Sequence, residues 1–460
     1  MTETGIVAAI NAAAANVAVD IGTTTVVVEL VESDNAGVSR DTPDKIAGAS
    51  TARPLFVATA INAQRLYGAD VITRINYCAK KGHEKLTTAI REQIAELIIN
   101  VGKMLASSDS ECRLKNVETN SVRSLQIKNI TITGNTIMQH LAAGYSPVSM
   151  GVVPFTTVSL FGTETAIWDE LKPLVSEDAN IYYAPAISAY VGGDVTTGIL
   201  AVEEKLNFCS TATEGRNQGL KTYLLIDIGT NGEIVLKHGD KFYCCATAAG
   251  PAFEGAGIKK GMAAVSGAVN HANWDDSQEK LNLEVIGDTE PKGICGSGLL
   301  DILAYLLSED IVDETGRMFL ERSPEPDKYY LTENVFITSD DIRNIQLAKA
   351  AIAAGVQTLF HHANITENQI EALFLAGNFG TYLNKNSAAR IGLIPNKLLP
   401  ITQAVGNAAL DGAVLTLIDK DAREKLENIR NSCEYVELSA NKIFNEQFVE
   451  QMMFQVYLVI

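Results

Sequence analysis

Cysteine is scarce in this 460-residue chain: seven, an odd number, at scattered positions that form no secreted disulfide framework. That excludes a disulfide-stapled extracellular domain, and a reducing cytoplasm is the expected compartment. Positive charge is scarce too. Lys and Arg number 37 against 55 Asp and Glu, a net charge of -18, and no basic cluster is longer than a Lys-Lys pair. Neither nucleic acid nor an anionic membrane is expected as a partner. No apolar run approaches the ~18 residues of a spanning helix. The opening MTETGIVAAINAAAAN starts acidic and lacks a signal's apolar core, so residues 1–16 read as a flexible arm. The six histidines show no H-x₃-H or H-E-x-x-H pattern, which argues against a zinc site and makes His140 and His238 structural.

What the chain does have is ordinary globular composition, 47% hydrophobic and 20% charged, and enough length for two or three domains. Short β-branched strands alternate with helical stretches, which indicates an α/β chain with mixed sheets covered on their faces. Leu86, Ile90, Ile94, Leu97, Val101 and Leu105 share one helical face. Ser339 is placed to cap a second helix from Ile342 to Phe360. Asp34–Arg53 and Glu203–Gly219 read as surface loops, and ATEGRNQGLK, Ala212–Lys221, as the joint between two lobes.

Two strand-turn-strand units carry nearly the same punctuation: VAVDIGTTTVVVEL at Val17–Leu30 and YLLIDIGTNGEIVL at Tyr223–Leu236. Such an echo predicts two lobes built on one plan, 17–211 and 222–402, with 403–460 returning to the first. A tight turn of Gly, Thr and Asn presents successive N–H groups and short hydroxyls to an anion. An aspartate ending the preceding strand opposes that charge unless a hydrated Mg²⁺ stands between carboxylate and phosphate. Asp20 and Asp227 therefore predict a magnesium-bound nucleotide. The alternative is two hairpins whose glycines merely permit positive φ; the second copy tips the reading toward phosphate.

Gly22, Thr23, Thr24 and Thr25 in the first turn, with Gly229, Thr230, Asn231 and Gly232 in the second, are assigned to phosphate. Asp20 and Asp227 would bind metal through water. Glu233, just after the second turn, is a candidate to orient the attacking water, set against a solvent-facing strand residue. LFLAGNFGTYL, Leu373–Leu383, ends a strand in a glycine turn, and Gly377, Asn378 and Gly380 are assigned to the adenosine side. Gly296, Ser297 and Gly298, in GICGSGLLDIL ahead of a helix, are further candidates there.

This order of turns and helices resembles the superfamily of actin, sugar kinases and heat-shock chaperone ATPases, which implies a two-lobed actin-like fold of duplicated ribonuclease H-like lobes around a nucleotide cleft. APAISAYVGG, Ala184–Gly193, and QAVGNAALDGAVL, Gln403–Leu415, look like its two connecting helices. Ala186, Ala189, Gly192, Ala408, Ala409 and Gly412 would allow their close crossing. More specifically, DIGTTT, NAQRLYGADVITRI (Asn62–Ile75), ITGNTIMQHL (Ile132–Leu141), DIGTNGE, GPAFEGAGI (Gly250–Ile258), ICGSGLLD and LAGNFG are together similar to the reductive activators of corrinoid proteins.

That resemblance implies ATP-driven return of a cobalt(II) corrinoid of a methyltransferase system to cobalt(I), with ATP and Mg²⁺ as ligands, a corrinoid protein as partner, and a homodimer as a plausible assembly. The family's plant-type ferredoxin spacing C-x₄-C-x₂-C has no counterpart here. The expectation is an ATPase part or a short form, with electrons from a separate iron-sulfur domain or protein. No iron-sulfur cluster is expected on this chain, since Cys244 and Cys245 should point to opposite faces of a strand and the remaining cysteines lack paired spacing. Asn62, Gln64, Asp70 and Arg74 are lifted by the family resemblance; on spacing alone, Asp70 and Arg74 read as an ion pair on a helix face. A metabolite kinase on the same lobes, and a nucleotide-dependent protein clamp with little hydrolysis, are the rival readings.

Overall fold

The structure is a computed structural model that describes residues 14–32, 54–108, 126–212, 220–275, 280–319 and 325–454. Of the expectations above, the arm up to residue 13, the loop Asp34–Arg53, the joint over 213–219, Cys112, and the side chains of Cys209 and Asn378 lie outside the described residues. The chain divides into two compact units, Met1–Gly219 with Ala408–Cys433, and Leu220–Asn407 with Glu434–Ile460. Among the described residues, no helix is long and apolar enough to cross a membrane.

The first unit is built on β1 (Ala14–Ile21), β2 (Thr25–Glu32), β3 (Pro54–Ile61), β4 (Gln126–Gly134), β5 (Glu164–Thr165) and β6 (Val175–Tyr183), in the order β3-β2-β1-β4-β6-β5. β1, β2 and β3 form an antiparallel meander; β4 is parallel to β1, and β6 to β4. The Val-rich strands are buried on both faces, as a sheet covered by helices requires. Val17, Val19 and Ile21 share a core with Leu86, Ile90, Ile94 and Val101 of helix Glu84–Ser108, while Ala18 and Val27 pack on Leu410 and Ala413 of helix Ala408–Ile418.

The second unit opens with β7 (Thr222–Ile228), β8 (Gly232–His238) and β9 (Lys241–Thr247). A small sheet follows, formed by β10 (Ala268–Asp275), β11 (Lys280–Val285) and β12 (Gly293–Ile294), and then a hairpin of β13 (Lys328–Tyr330) and β14 (Phe336–Thr338). The main sheet is completed by β15 (Ala372–Ala376), β16 (Thr402–Gly406) and β17 (Cys433–Tyr435), in the order β16-β15-β7-β8-β9-β17. Here β7, β8 and β9 form an antiparallel meander, β15 is parallel to β7, and β16 to β15. The first three strands, then the fourth and fifth beside the first, thus repeat the order and directions of β1, β2, β3, β4 and β6.

Several expectations change. Ala14–Asn16 are strand rather than arm. Glu203–Ala212 are not loop but the end of helix Gly193–Ala212, whose Val195, Ile199, Val202 and Leu206 keep helical spacing. APAISAYVGG is the loop before that helix: Ser188 Oγ accepts from the N–H groups of Tyr190 and Val191, holding Ala186, Ala189 and Gly192 outside it. The crossing itself joins helices Gly193–Ala212 and Ala408–Ile418, where a Cβ on Gly412 would stand 2.0 Å from the Thr197 carbonyl oxygen. Gln403–Gly406 belong to β16 and precede the second of these helices.

The cap of helix Ser339–Ala363 is Thr338, whose hydroxyl and Asp341 form a reciprocal capping box, in place of Ser339. Residues 434–454 belong with the second unit, where the sequence reading sends 403–460 to the first as one block. β17 extends the β9 edge, the Val436 N–H donates to the Cys244 carbonyl, and Val436, Leu438 and Phe454 bury in the second core.

Candidate functional site

In the first unit, Asp20 is the penultimate residue of β1, paired with Val27 on one side and Thr133 on the other. The chain then turns through Gly22, Thr23 and Thr24 into Thr25, the first residue of β2. The tightness of this turn depends on Gly22, because a Cβ there would stand 2.8 Å from the Thr25 carbonyl oxygen. Three consecutive turn carbonyls are held from one side: Gly22 O accepts from Asn62 Nδ2 at 2.8 Å, Thr23 O from Arg74 Nη2 at 2.6 Å, and Thr24 O from the Asn62 N–H at 2.8 Å. In a trans peptide the C=O and the following N–H point opposite ways. The N–H groups of Thr23, Thr24 and Thr25 are therefore directed away from Asn62 and Arg74, as an anion-facing turn needs.

Asn62, Gln64 and Arg74 are 1%, 0% and 0% exposed, so the last is no surface partner of Asp70. Asp70 instead caps helix Val71–Lys81 by accepting from the Thr73 N–H. Arg74 lies on the buried face of that helix with Val71, Ile75 and Cys78. This is a spacing of three and four that the sequence displays but that its charge obscures. Burial pulls its guanidinium down to about 10, partly offset by the charge of Asp70.

In the second unit, Asp227 sits near the end of β7, directly opposite Glu233 on β8 and beside Ala376 on β15. Opposite residues share a sheet face, so the two carboxylates are neighbours. Glu233 is only 9% exposed and does not face solvent. Gly229 closes the turn by donating its N–H to the Asn231 carbonyl, and Gly232 packs against Thr247 and Ile352. Gly377 has φ +84°, and a Cβ there would lie 2.5 Å from Asp227 Oδ1. The expected adenosine glycine thus abuts the phosphate-turn aspartate. Residues 377–382 form a short helix rather than an open turn, with Gly380 buried inside it.

Glu254, which stands in the quoted GPAFEGAGI, is not singled out by the sequence reading, yet the fold brings it to the second turn. The Thr230 hydroxyl lies 3.0 and 2.9 Å from its two carboxylate oxygens, so this half-buried acid reaches the second turn. Its loop is clamped. A Cβ on Gly296 would fall 1.8 Å from the Phe253 carbonyl oxygen, and the Phe253 ring stacks on Phe379 at 5.0 Å.

Gly296, Ser297 and Gly298 form the first turn of helix Gly296–Ser308, not a loop ahead of it. Gly298 is pressed against the Val269 carbonyl, and the Ser297 hydroxyl donates to the Asn270 carbonyl. Close packing explains these two glycines; through Phe253, Gly296 also supports Glu254.

Cys244 and Cys245 are both fully buried; Cys244 approaches the Glu434 carbonyl and Cys245 joins the core. Burial raises the Cys245 thiol far above its ordinary value. Among the described residues, no three His, Cys, Asp or Glu side chains cluster as metal ligands.

A family model for the C-terminal domain of RACo, the ASKHA domain, matches residues 221–457, and one for the RACo middle region matches residues 15–205. The corrinoid activation enzyme RamQ of Eubacterium limosum is 31% identical over 425 residues, covering 86% of this chain and 65% of that protein. A [Co(II) methylated amine-specific corrinoid protein] reductase of Methanosarcina barkeri is 22% identical over 417 residues, 85% of this chain and 71% of the relative. The solved structure of a reductive activator for corrinoid, iron-sulfur protein has a TM-score of 0.76 at 33% identity, covering 96% of this chain and 66% of its own. The chain thus spans about two thirds of the length of these relatives, and its fold is the actin-like ASKHA fold.

Proposed function

The chain belongs to the RACo family, and from that premise we propose that it binds and hydrolyses magnesium-ATP to return the cobalt(II) of a corrinoid protein to cobalt(I). The electron comes from an iron-sulfur domain or protein. The observation that carries the reading is the repeat: a D-x-G-T turn at the same first hairpin of two sheets with the same strand order. The names of the relatives supply the corrinoid substrate class.

On this reading the N–H groups of Thr23–Thr25 and the turn Gly229–Gly232 take phosphate oxygens. Asp20 and Asp227 hold water-bound Mg²⁺. The donor set suits that ion, which keeps several waters and takes one or two carboxylates, unlike a metal needing a full protein cage. When bound, Mg²⁺ supplies the charge that offsets the phosphates. Gly377 keeps the Asp227 carboxylate in place by leaving room for it. Glu254, rather than the more deeply set Glu233, orients the attacking water, because its carboxylate already lies against the turn hydroxyl of Thr230.

The test is anaerobic ATP turnover with a cobalt(II) corrinoid protein and a low-potential reductant, while the visible spectrum reports cobalt. ATP-dependent appearance of cobalt(I), with turnover raised by the corrinoid protein and not by sugars or short acids, is expected. A phosphorylated metabolite would make the chain a kinase, and nucleotide binding without turnover would make it a clamp.

A further inference from the structure

Arg74 combines features seldom found together. It is wholly buried, and its guanidinium donates from Nε to the Gly68 carbonyl at 3.0 Å, from Nη1 to Gln64 Oε1 at 3.3 Å, and from Nη2 to the Thr23 carbonyl at 2.6 Å. Nη1 also meets the Met138 sulfur at 2.9 Å. All of these acceptors are neutral, and among the described residues no carboxylate lies within ion-pair distance of it. A buried cation is costly when opposite charge compensates it only in part, as the more distant Asp70 does here.

The scaffold around it is equally fixed. Gln64 Nε2 donates to the Leu86 carbonyl, the Gln64 N–H to Asn62 Oδ1, and the Ala63 N–H to Gln93 on helix Glu84–Ser108. Asn62 and Arg74 thus hold the first turn by its carbonyl side while pinned to the core themselves. The planar fork of arginine suits this task, because it can engage three acceptors in fixed directions where lysine offers a point charge.

We propose that Arg74, with Asn62, is a positioning residue for the phosphate group of the nucleotide. It fixes the first turn through the Thr23 carbonyl, and its positive charge is answered by the anionic ligand on the turn's opposite side. The inference rests on the nucleotide reading above and assigns a part of that site lying behind the turn, out of contact with the ligand. It differs from a plain fold-holding role in one respect: loss of Arg74 must penalise a phosphorylated ligand selectively.

Isothermal titration of magnesium-ATP and of adenosine into wild type, Arg74→Met, Arg74→Lys and Asn62→Ala tests this. Arg74→Met should weaken magnesium-ATP by about 10-fold or more while changing adenosine by less than about 2-fold, the scale of a charge-assisted hydrogen bond lost. Arg74→Lys should recover part of the loss and steepen the dependence on salt. Asn62→Ala should share the selective loss, which keeps the test open if Arg74→Met fails to fold. Equal loss of both ligands, or unchanged affinity for both, overturns the proposal. Wild type that does not bind magnesium-ATP defeats the nucleotide reading itself; wild-type binding with unaltered selectivity in the variants defeats only the role of Arg74.

Discussion

Asp227 Oδ1 occupies the space that a side chain on Gly377 would need, 2.5 Å from its ideal Cβ position. Gly377→Ala should therefore do two things. The left-handed backbone, φ +84°, costs about 1–2 kcal/mol for a residue with a Cβ, and the new methyl displaces the carboxylate. Gly406→Ala separates the two effects, since Gly406 has φ +77° with nothing within 4 Å of its Cβ position. Both variants should lose similar stability, but only Gly377→Ala should lose magnesium-ATP affinity, by about 10-fold. Equal affinities by titration would dissociate Gly377 from Asp227 function.

The two carboxylates near the second turn are distinguishable. Glu254→Gln keeps size and an acceptor for the Thr230 hydroxyl but removes the charge that holds an attacking water. ATP turnover should fall by about 10²-fold or more with nucleotide affinity little changed. Glu233→Gln, beside Asp227 and deeply buried, should affect affinity more than turnover. Single-turnover hydrolysis alongside binding decides; a larger turnover loss in Glu233→Gln would reverse the assignment.

Much of this architecture is legible in residue order, and the exceptions have physical causes. The paired hairpins are readable because alternating apolar residues flank a turn that only Gly, Thr and Asn fill easily, twice. Helix Glu84–Ser108 announces itself by spacing. Arg74 is misread because formal charge suggests solvent, while its spacing from Val71, Ile75 and Cys78 already places it inward. Glu254 is missed because nothing local ties it to Thr230, a contact made by the fold. The loop before helix Gly193–Ala212 is misplaced because small residues suit both a helix crossing and a tight backbone approach. Gly192, whose Cβ would stand 2.3 Å from the Gly134 carbonyl oxygen, serves the second.

Glu29 makes the first unit sensitive to alkali. On β2 it shares the face of Val27, toward helix Ala408–Ile418, and is 8% exposed. Burial, then the charge of Asp411, pushes its carboxyl up to about 7. A raised folded-state value means that the neutral form is favoured in the fold. Its stabilisation is complete below the unfolded value near 4.5 and is lost as pH rises through about 7. Glu29→Gln should stabilise the protein at pH 8, by up to about 3 kcal/mol on this linkage, and make little difference at pH 4.5. Thermal melts across that range check the sign; a variant less stable at pH 8 than wild type would refute it.

His140 sets the opposite dependence. Its Nδ1 lies 2.7 Å from the Thr136 carbonyl, and its Nε2 faces the N–H groups of Val158 and Ser159 at 3.2 and 3.3 Å. Those partners require the neutral ring with the proton on Nδ1, since a second proton would point at two donors. Burial lowers its pKa below the ordinary 6.5, against a smaller opposing effect of the Thr136 carbonyl. A depressed value gives stability that is present above about 6.5 and lost as pH falls further. His140→Phe should keep the edge-on contact with Phe161, 5.0 Å in wild type, but leave both N–H groups without their acceptor. It should therefore be less stable at pH 8 by about 1–3 kcal/mol, yet lose less additional stability between pH 7 and pH 5 than wild type does. Comparing the slopes of melting temperature against pH isolates this group from Glu29, which is unchanged in both proteins, and identical slopes would show that folding leaves the His140 pKa unshifted.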